Sequence, residues 1–292
     1  MKFILCQPAI LRFKWELEVC LTNLTKTHGV NPKNIVLLLS QHDQSIPKCL
    51  REKYGVETHV YRDERKDKSY IPSIKPYLWC KYLEQDSSRE SETYFYMDSD
   101  VIFRELPKIS GVKPNVWLCS DCNGYLNLDY IKSCKHGDEI IDHMCEIIGV
   151  TQSSIQTINF NSGGAQWVIK NPTVAYWKKV YSDSTKLYRY FKSVDTDLQK
   201  WTAEMWSQLW NMMYFNVGPK IDHELDFCFA TDDVKKYSKL KILHNAGVTA
   251  DMKNLFFKGK YTNKVPFNDD LSFVNKAKCS SKYVEAIKKV EC

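Results

Sequence analysis

Five successive apolar residues, Ile35-Val36-Leu37-Leu38-Leu39, set the strongest limit on what this chain can fold into. A strand with one wet face alternates apolar and polar side chains. A run that is apolar throughout is expected when helices cover both faces of the sheet. The neighbouring sequence supplies those helices. Residues 2–6 read as a short buried strand, broken by Gln7-Pro8-Ala9. Residues 12–27 carry helical periodicity through Leu17, Cys20, Leu21 and Leu24, and Gly29 closes them. A helix over 46–54, a strand over 56–61, a charged loop over 62–68, a helix over 74–85 with Pro76 in its first turn, and a strand over 92–97 follow. This β-α-β-α-β-α-β alternation implies an α/β fold with a mostly parallel central sheet. The second half is less regular: a strand over 116–120, helices over 138–148, 172–190 and 197–214, a strand over 240–243, and a loop-like tail before a helix over 283–290.

Ligands of such sheets bind beyond the carboxyl ends of the strands, and the strand over 92–97 ends in Asp98-Ser99-Asp100. Residues i and i+2 of a strand point to one side, so the two carboxylates converge at the strand end with Cα atoms roughly 7 Å apart. Two such acids repel without a counter-ion, and hard divalent cations take oxygen ligands of this kind. A solvated surface turn is the plain alternative. The apolar flanks Tyr94-Phe95-Tyr96-Met97 and Val101-Ile102-Phe103 argue against it, because they bury the strand and leave only its tip for polar work.

The chain has 292 residues, enough for one large α/β domain. A formal charge of +6, spread along the sequence, is compatible with a polyanionic partner and equally with an ordinary basic surface. Eleven cysteines without a compact framework read as free thiols in a reducing cytoplasm. The opening Met1-Lys2-Phe3-Ile4-Leu5-Cys6 is too short for a secretory signal, and no stretch approaches the ~20 apolar residues of a membrane span. A cytoplasmic location without a membrane partner is therefore expected. Cys119, Cys122, Cys134, His136, His143 and Cys145 match no standard zinc spacing and read as buried thiols and helix residues.

Three further segments carry polar side chains suited to a ligand. Asn161-Ser162-Gly163-Gly164 offers donors and acceptors beside two glycines that admit a close backbone approach, or simply a tight turn or bulge. His244-Asn245-Ala246-Gly247 follows an apolar strand and would place an imidazole at its end. Within 201–211, Glu204, Gln208 and Asn211 share one helical stripe, which is either a catalytic face or a face in water. Lys75, Lys81 and Lys258 are candidates to neutralise a diphosphate, with ordinary surface lysines as the plain alternative.

Taken together, these motifs resemble a GT-A glycosyltransferase of the Asp-X-Asp type. Asp98-Ser99-Asp100 matches the Asp-X-Asp motif, Asn161-Ser162-Gly163-Gly164 resembles the asparagine–glycine segment that faces the donor sugar, and His244-Asn245-Ala246-Gly247 resembles the His-X-X-Gly of glycogenin-like and galactosyltransferase-like members. After Gly247 comes Val248-Thr249-Ala250, where glycogenin-like enzymes carry Gly-X-X-Lys-Pro-Trp. The resemblance implies a GT-A domain over 1–250, with a nucleotide-sugar half over 1–120 and an acceptor half over 121–250, and an extension over 251–292 packed on it. It implies Mn²⁺ or Mg²⁺ held by Asp98, Asp100 and His244, and a UDP-sugar donor. Gln7, Pro8, Ala9, Lys75, Asp98, Asn161, Ser162, Gly163, Gly164 and Lys258 would border the donor. Glu204 or Asp121 would face the anomeric carbon or the acceptor hydroxyl. For the acceptor, the expectation is double-stranded DNA with hydroxymethylated pyrimidines, as modified in phages, which would place the enzyme in the host cytoplasm. Lys178, Lys179, Lys186 and Arg189 would then hold its phosphates. A glycan or protein acceptor, a metal-dependent nucleotidyltransferase, and a non-catalytic binding module are the alternatives.

Overall fold

The computed structural model describes residues 1–291; Cys292, the last residue of the expected 251–292 extension, lies outside the described residues. The strands are β1 (Lys2–Pro8), β2 (Ile35–Ser40), β3 (Glu57–Tyr61), β4 (Thr93–Tyr96), β5 (Val101–Phe103), β6 (Val116–Asp121), β7 (Gly163–Lys170), β8 (Gly218–Ile221), β9 (Phe227–Phe229) and β10 (Ile242–His244). The helices are α1 (Leu11–Thr22), α2 (Ser45–Tyr54), α3 (Ile74–Gln85), α4 (Leu128–Ser133), α5 (Gly137–Ile148), α6 (Gln152–Gln156), α7 (Val174–Ser193), α8 (Ala203–Tyr214), α9 (Val234–Lys239) and α10 (Ser280–Ile287). The fold is the expected α/β type, with a seven-stranded, mostly parallel main sheet and flanking helices. The chain divides into two compact units.

One unit comprises 3–60, 97–109 and 224–291. Its share of the main sheet runs β3-β2-β1. β1 and β2 pair in parallel from Phe3 opposite Ile35 to Pro8 opposite Ser40, and β2 is buried at every position, as its unbroken apolar run requires. The Met97 N–H donates to the Ile4 carbonyl at 3.3 Å, so the residue before Asp98 lies beside β1. A second, small sheet has the order β5-β10-β9, with β10 antiparallel to β5 and parallel to β9. Its core joins Trp15 and Val19 of α1 to Ile102, Leu243, Phe256, Tyr261, Leu271, Tyr283 and Ile287. The tail, read from sequence as loop-like, is thus fixed by large side chains whose full burial is worth about 1.5–3 kcal/mol each. The Trp15 indole N–H also donates to the Tyr261 carbonyl at 2.9 Å.

The helix expected over 12–27 changes winding near its end. Residues Asn23–Thr27 form a π-helical turn, and the Asn23 side chain there does the work of a strand. Its amide donates to the Phe103 carbonyl at 3.0 Å and its oxygen accepts from the Phe103 N–H at 2.8 Å. One side chain thereby satisfies both backbone groups of Phe103, the last residue of β5, in a buried setting where unpaired polar groups are costly.

The other unit comprises Met1–Lys2, Tyr61–Tyr96 and Ser110–His223. Its strands run β4-β7-β6-β8, with β7 antiparallel to both neighbours and β6 parallel to β8. Helices α3, α7 and α8 form its helical layer, where Trp79 and Trp177 stack with ring centroids 4.8 Å apart. The stripe of Glu204, Gln208 and Asn211 on α8 is buried, so the expectation of a solvated face is corrected. Asn211 gives its amide to Asp183 at 3.2 Å and to the Ser207 carbonyl at 3.0 Å, and α7 covers this side of α8.

Replacing Asn23 by Ala should remove the side-chain partner of the buried Phe103 N–H, while the Phe103 carbonyl keeps the His28 ring nitrogen at 2.8 Å, and lower stability by about 1 kcal/mol. Equilibrium denaturation checks this; an unchanged midpoint would show that water or a shifted backbone takes over the lost bond.

Candidate active site

Asp98, Asp100 and His244 present ligand atoms that all lie within 4.8 Å of one another, and no other such cluster of acidic, histidine or cysteine side chains occurs among the described residues. The strand register explains the convergence. In the antiparallel pairing of β5 with β10, His244 stands opposite Val101, and the Asn245 N–H donates to the Asp100 carbonyl at 2.9 Å. The imidazole is thereby delivered beside the carboxylates from a point distant in sequence. His244 Nε2 lies 3.2 Å from Asp100 Oδ1 and 3.8 Å from Asp98 Oδ2. Asp100 is buried, and Asp98 is part-exposed.

The fourth partner comes from the tail. The Lys258 ammonium donates to Asp100 Oδ2, and the Trp15–Tyr261 contact just described anchors the short helix Lys258–Tyr261 that carries it. Burial by itself would raise the Asp100 pKa. The Lys258 ammonium and then the His244 ring outweigh burial, and the carboxyl is held well below the usual carboxylate range. Burial likewise works against the charge on Lys258, but Asp100 and Glu16 reverse this and raise its pKa.

Beneath these groups lies a carboxylate that sequence reading missed. Glu16 of α1 is 1% exposed. Burial pushes its carboxyl pKa up, Lys258 opposes this, and the Asp100 charge adds to it. It accepts from the Ser99 hydroxyl at 2.8 Å and from Arg12 Nε at 3.2 Å. The Gln7 amide donates to the same Ser99 oxygen at 3.1 Å, so the Gln7 side chain is engaged under the Asp-Ser-Asp segment. Pro8 ends β1, and Ala9 is buried, bonded through its backbone to Ser40 and Asp43. Periodicity marked α1 as a helix, but Glu16 and Arg12 stand four residues apart, the spacing of an ordinary surface ion pair; only the tertiary contact sets Glu16 apart.

The remaining candidates belong to the other unit. Asp121, exposed at the end of β6, accepts from the Asn123 backbone and side-chain N–H groups, each at 2.9 Å. Asn161 accepts from the Ile221 N–H at 3.3 Å, and the Ser162 N–H donates to Asn123 at 3.1 Å. Gly163 and Gly164 open β7. A Cβ on Gly163 would meet Cys119 Sγ at 2.0 Å, and one on Gly164 would meet Met205 at 2.6 Å. Packing against Cys119 therefore requires Gly163, whereas Gly164 meets only side-chain ends. The left-handed residue is instead the next one, Ala165, with φ 55°, facing the bulge between Cys119 and Ser120. Such non-glycine conformations are uncommon and cluster at functional sites. The Glu204 N–H donates to the Tyr70 hydroxyl oxygen at 2.7 Å. Lys75 lies in the first turn of α3. Cys119, Cys122, Cys134 and Cys145 are buried free thiols and form no metal cluster with the nearby histidines.

No protein-family model and no curated protein matches the chain. Solved structures do. The chain superimposes on the apo structure of the bifunctional glycosyltransferase WbbM with a TM-score of 0.54 at 9% identity, covering 99% of this chain and 50% of that one. It therefore spans half the length of that relative. It superimposes on the galactosyltransferase LgtC in complex with donor and acceptor sugar analogs with a TM-score of 0.53 at 12% identity, covering 100% of this chain and 97% of the other. An active-site mutant of LgtC gives 0.51 at 14% identity with the same coverage. At these identities the likeness establishes the fold, and it is the GT-A fold expected from the sequence. No helix among the described residues is long and apolar enough to cross a membrane.

Removing the Lys258 ammonium (Lys258→Met) leaves Asp100 a buried anion with one cation fewer. Breaking a fully buried pair costs roughly 3–5 kcal/mol; with the Lys258 side chain 25% exposed, the expected loss is about 2 kcal/mol. The sign with pH follows from the lowered Asp100 pKa. Its stabilisation is fully present above the unfolded carboxylate value near ~4 and is lost as the pH falls below it. The variant should therefore unfold at a higher pH on acidification than the parent. Coincident acid-unfolding curves would contradict this.

Proposed function

We propose that this protein is a metal-dependent glycosyltransferase that moves a sugar from a nucleoside-diphosphate donor, with UDP as the nucleotide, to the hydroxyl of a saccharide. The observation that carries the reading is the convergence of Asp98, Asp100 and His244, with Lys258 beside them, in a chain whose fold matches two glycosyltransferases.

The donor set suits a divalent cation. Two carboxylates and an imidazole are the oxygen and nitrogen ligands that Mn²⁺ accepts, and Mg²⁺ accepts the carboxylates. Asp98, Asp100 and His244 Nε2 would hold the ion, which when bound supplies positive charge against the negative charge that grows on a departing nucleoside diphosphate. Lys258 would leave Asp100, where a second cation is unfavourable, and donate to a diphosphate oxygen. Gln7 and Ser99 would keep the aspartate segment in place, and Pro8 and Ala9 would border the nucleoside. In the other unit we assign Asn161, Ser162 and the backbone at Gly163 and Gly164 to the donor sugar, Lys75 to the donor's phosphates, and Asp121 or Glu204 to the reacting carbon or the acceptor hydroxyl. Asp121 is exposed and able to meet substrate directly; Glu204 is buried.

The choice of a saccharide acceptor over modified DNA rests on the basic residues of α7. Lys178 pairs with Glu84 at 2.7 Å, Lys179 and Lys186 pair with Asp183 at 2.8 and 3.1 Å, and Arg189 pairs with Asp67 at 2.8 Å. Cations already engaged by carboxylates give little of the phosphate attraction that DNA binding needs. LgtC, with the same fold, was crystallised with donor and acceptor sugar analogs.

Incubation with Mn²⁺, a panel of nucleotide sugars and either oligosaccharides or hydroxymethylcytosine DNA, read by mass spectrometry, tests the proposal. A hexose mass gain on an oligosaccharide is expected, with Asp100→Ala reducing turnover at least ~100-fold. Gain on DNA alone would overturn the acceptor. No transfer to either class, or full activity in Asp100→Ala, would overturn the reading.

A further inference from the structure

We infer that Glu16 is a positioning residue, which acts through the Ser99 hydroxyl to hold Asp98-Ser99-Asp100 in the one conformation where both aspartates and His244 face a common cation. The inference rests on the cation-binding reading above and concerns residues outside the ligand set.

Three observations carry it. First, Glu16 and Ser99 are each 1% exposed, so neither owes its place to solvation. A carboxylate buried beside Asp100 is unfavourable unless its bonds compensate. Second, Ser99 is the residue between the two aspartates, and its hydroxyl is used in both directions: it donates to Glu16 at 2.8 Å and accepts from Gln7 at 3.1 Å. A hydroxyl tied on both sides fixes the χ1 of its residue, and with it the backbone that aims the flanking carboxylates. Third, Glu16 is itself immobilised. Arg12 Nε donates to its other oxygen at 3.2 Å, and the adjacent Trp15 is locked to Tyr261, in the short helix that begins with Lys258. The support beneath the aspartates and the lysine beside them therefore share one anchor.

Outer partners that orient metal ligands typically alter affinity about 10–100-fold when removed. Mn²⁺ binding is measured by the electron paramagnetic resonance signal of the free ion, on the parent, Glu16→Ala, Ser99→Ala, the double variant, Glu16→Gln and Asp100→Ala, with melting curves to confirm folding. Glu16→Ala and Ser99→Ala should each weaken Mn²⁺ about tenfold. The double variant should be no weaker than about tenfold, because both changes break the same link. Glu16→Gln, which keeps an acceptor for Ser99, should stay within about threefold. A role confined to anchoring α1 would lower the melting temperature while leaving Mn²⁺ affinity within about twofold, and that result overturns the inference. Multiplying losses, about a hundredfold in the double variant, would also overturn it, by showing that Glu16 acts independently of Ser99. Should Glu16→Ala fail to fold, Ser99→Ala is compared with Gln7→Ala, which keeps the Glu16–Ser99 bond: a tenfold loss in Ser99→Ala alone supports the inference, and equal losses in both overturn it. If the parent binds Mn²⁺ no better than Asp100→Ala, the cation reading falls and takes this inference with it; binding lost only in Asp100→Ala leaves that reading standing and removes this one.

Discussion

The mutual repulsion of buried carboxylates governs the unit that contains the site. Glu16 and Asp100 are both withdrawn from water, and Asp98 stands next to them. Like charges so placed raise one another's pKa and oppose folding. The fold answers with an ammonium from the tail, an imidazole from β10 and a guanidinium from α1. The balance is uneven, and the inequality is informative. Asp100, with Lys258 and His244 beside it, is held ionised; at Glu16 burial and the Asp100 charge outweigh Lys258 and Arg12, and the group is pushed toward its neutral form. An arrangement of this kind keeps a carboxylate ready for a cation at one point and a rigid support at another.

The tail is what makes this possible. With little regular structure between Asn254 and α10, it is held by the aromatic and aliphatic side chains that it buries against α1, β5 and β10. Lys258 reaches Asp100 across 158 positions of sequence because Phe256 and Tyr261 on either side of it are core residues. Here packing sets electrostatics: the hydrophobic anchor decides where the charge sits.

Much of this was legible in the sequence, for definite reasons. An apolar run such as 35–39 has few structural homes, and the alternation of strands and helices up to Asp98 leaves little choice of sheet. Asp98 and Asp100 stood out because apolar residues flank them, and His244 because it ends a short apolar strand. What remained hidden depended on contacts between distant segments. Glu16 looked like one end of a helical ion pair with Arg12. Lys258 stood among several lysines read as partners of a diphosphate, and nothing local tied it to Asp100. The stripe of Glu204, Gln208 and Asn211 looked solvated, because nothing local announces that α7 covers it. Gly163 and Gly164 drew attention as places for a ligand to approach, whereas close packing on Cys119 accounts for Gly163; the unusual backbone lies at Ala165, where alanine gives no sign of it.

A cation shared by Asp98, Asp100 and His244 would answer the carboxylate repulsion and carry the chemistry. Diffraction from crystals grown with manganese, recorded near its absorption edge, tests that most directly. One strong anomalous peak bounded by both carboxylates and the His244 ring is expected, with the Lys258 ammonium withdrawn from Asp100. A peak elsewhere, or none while Lys258 still grips Asp100, would contradict it.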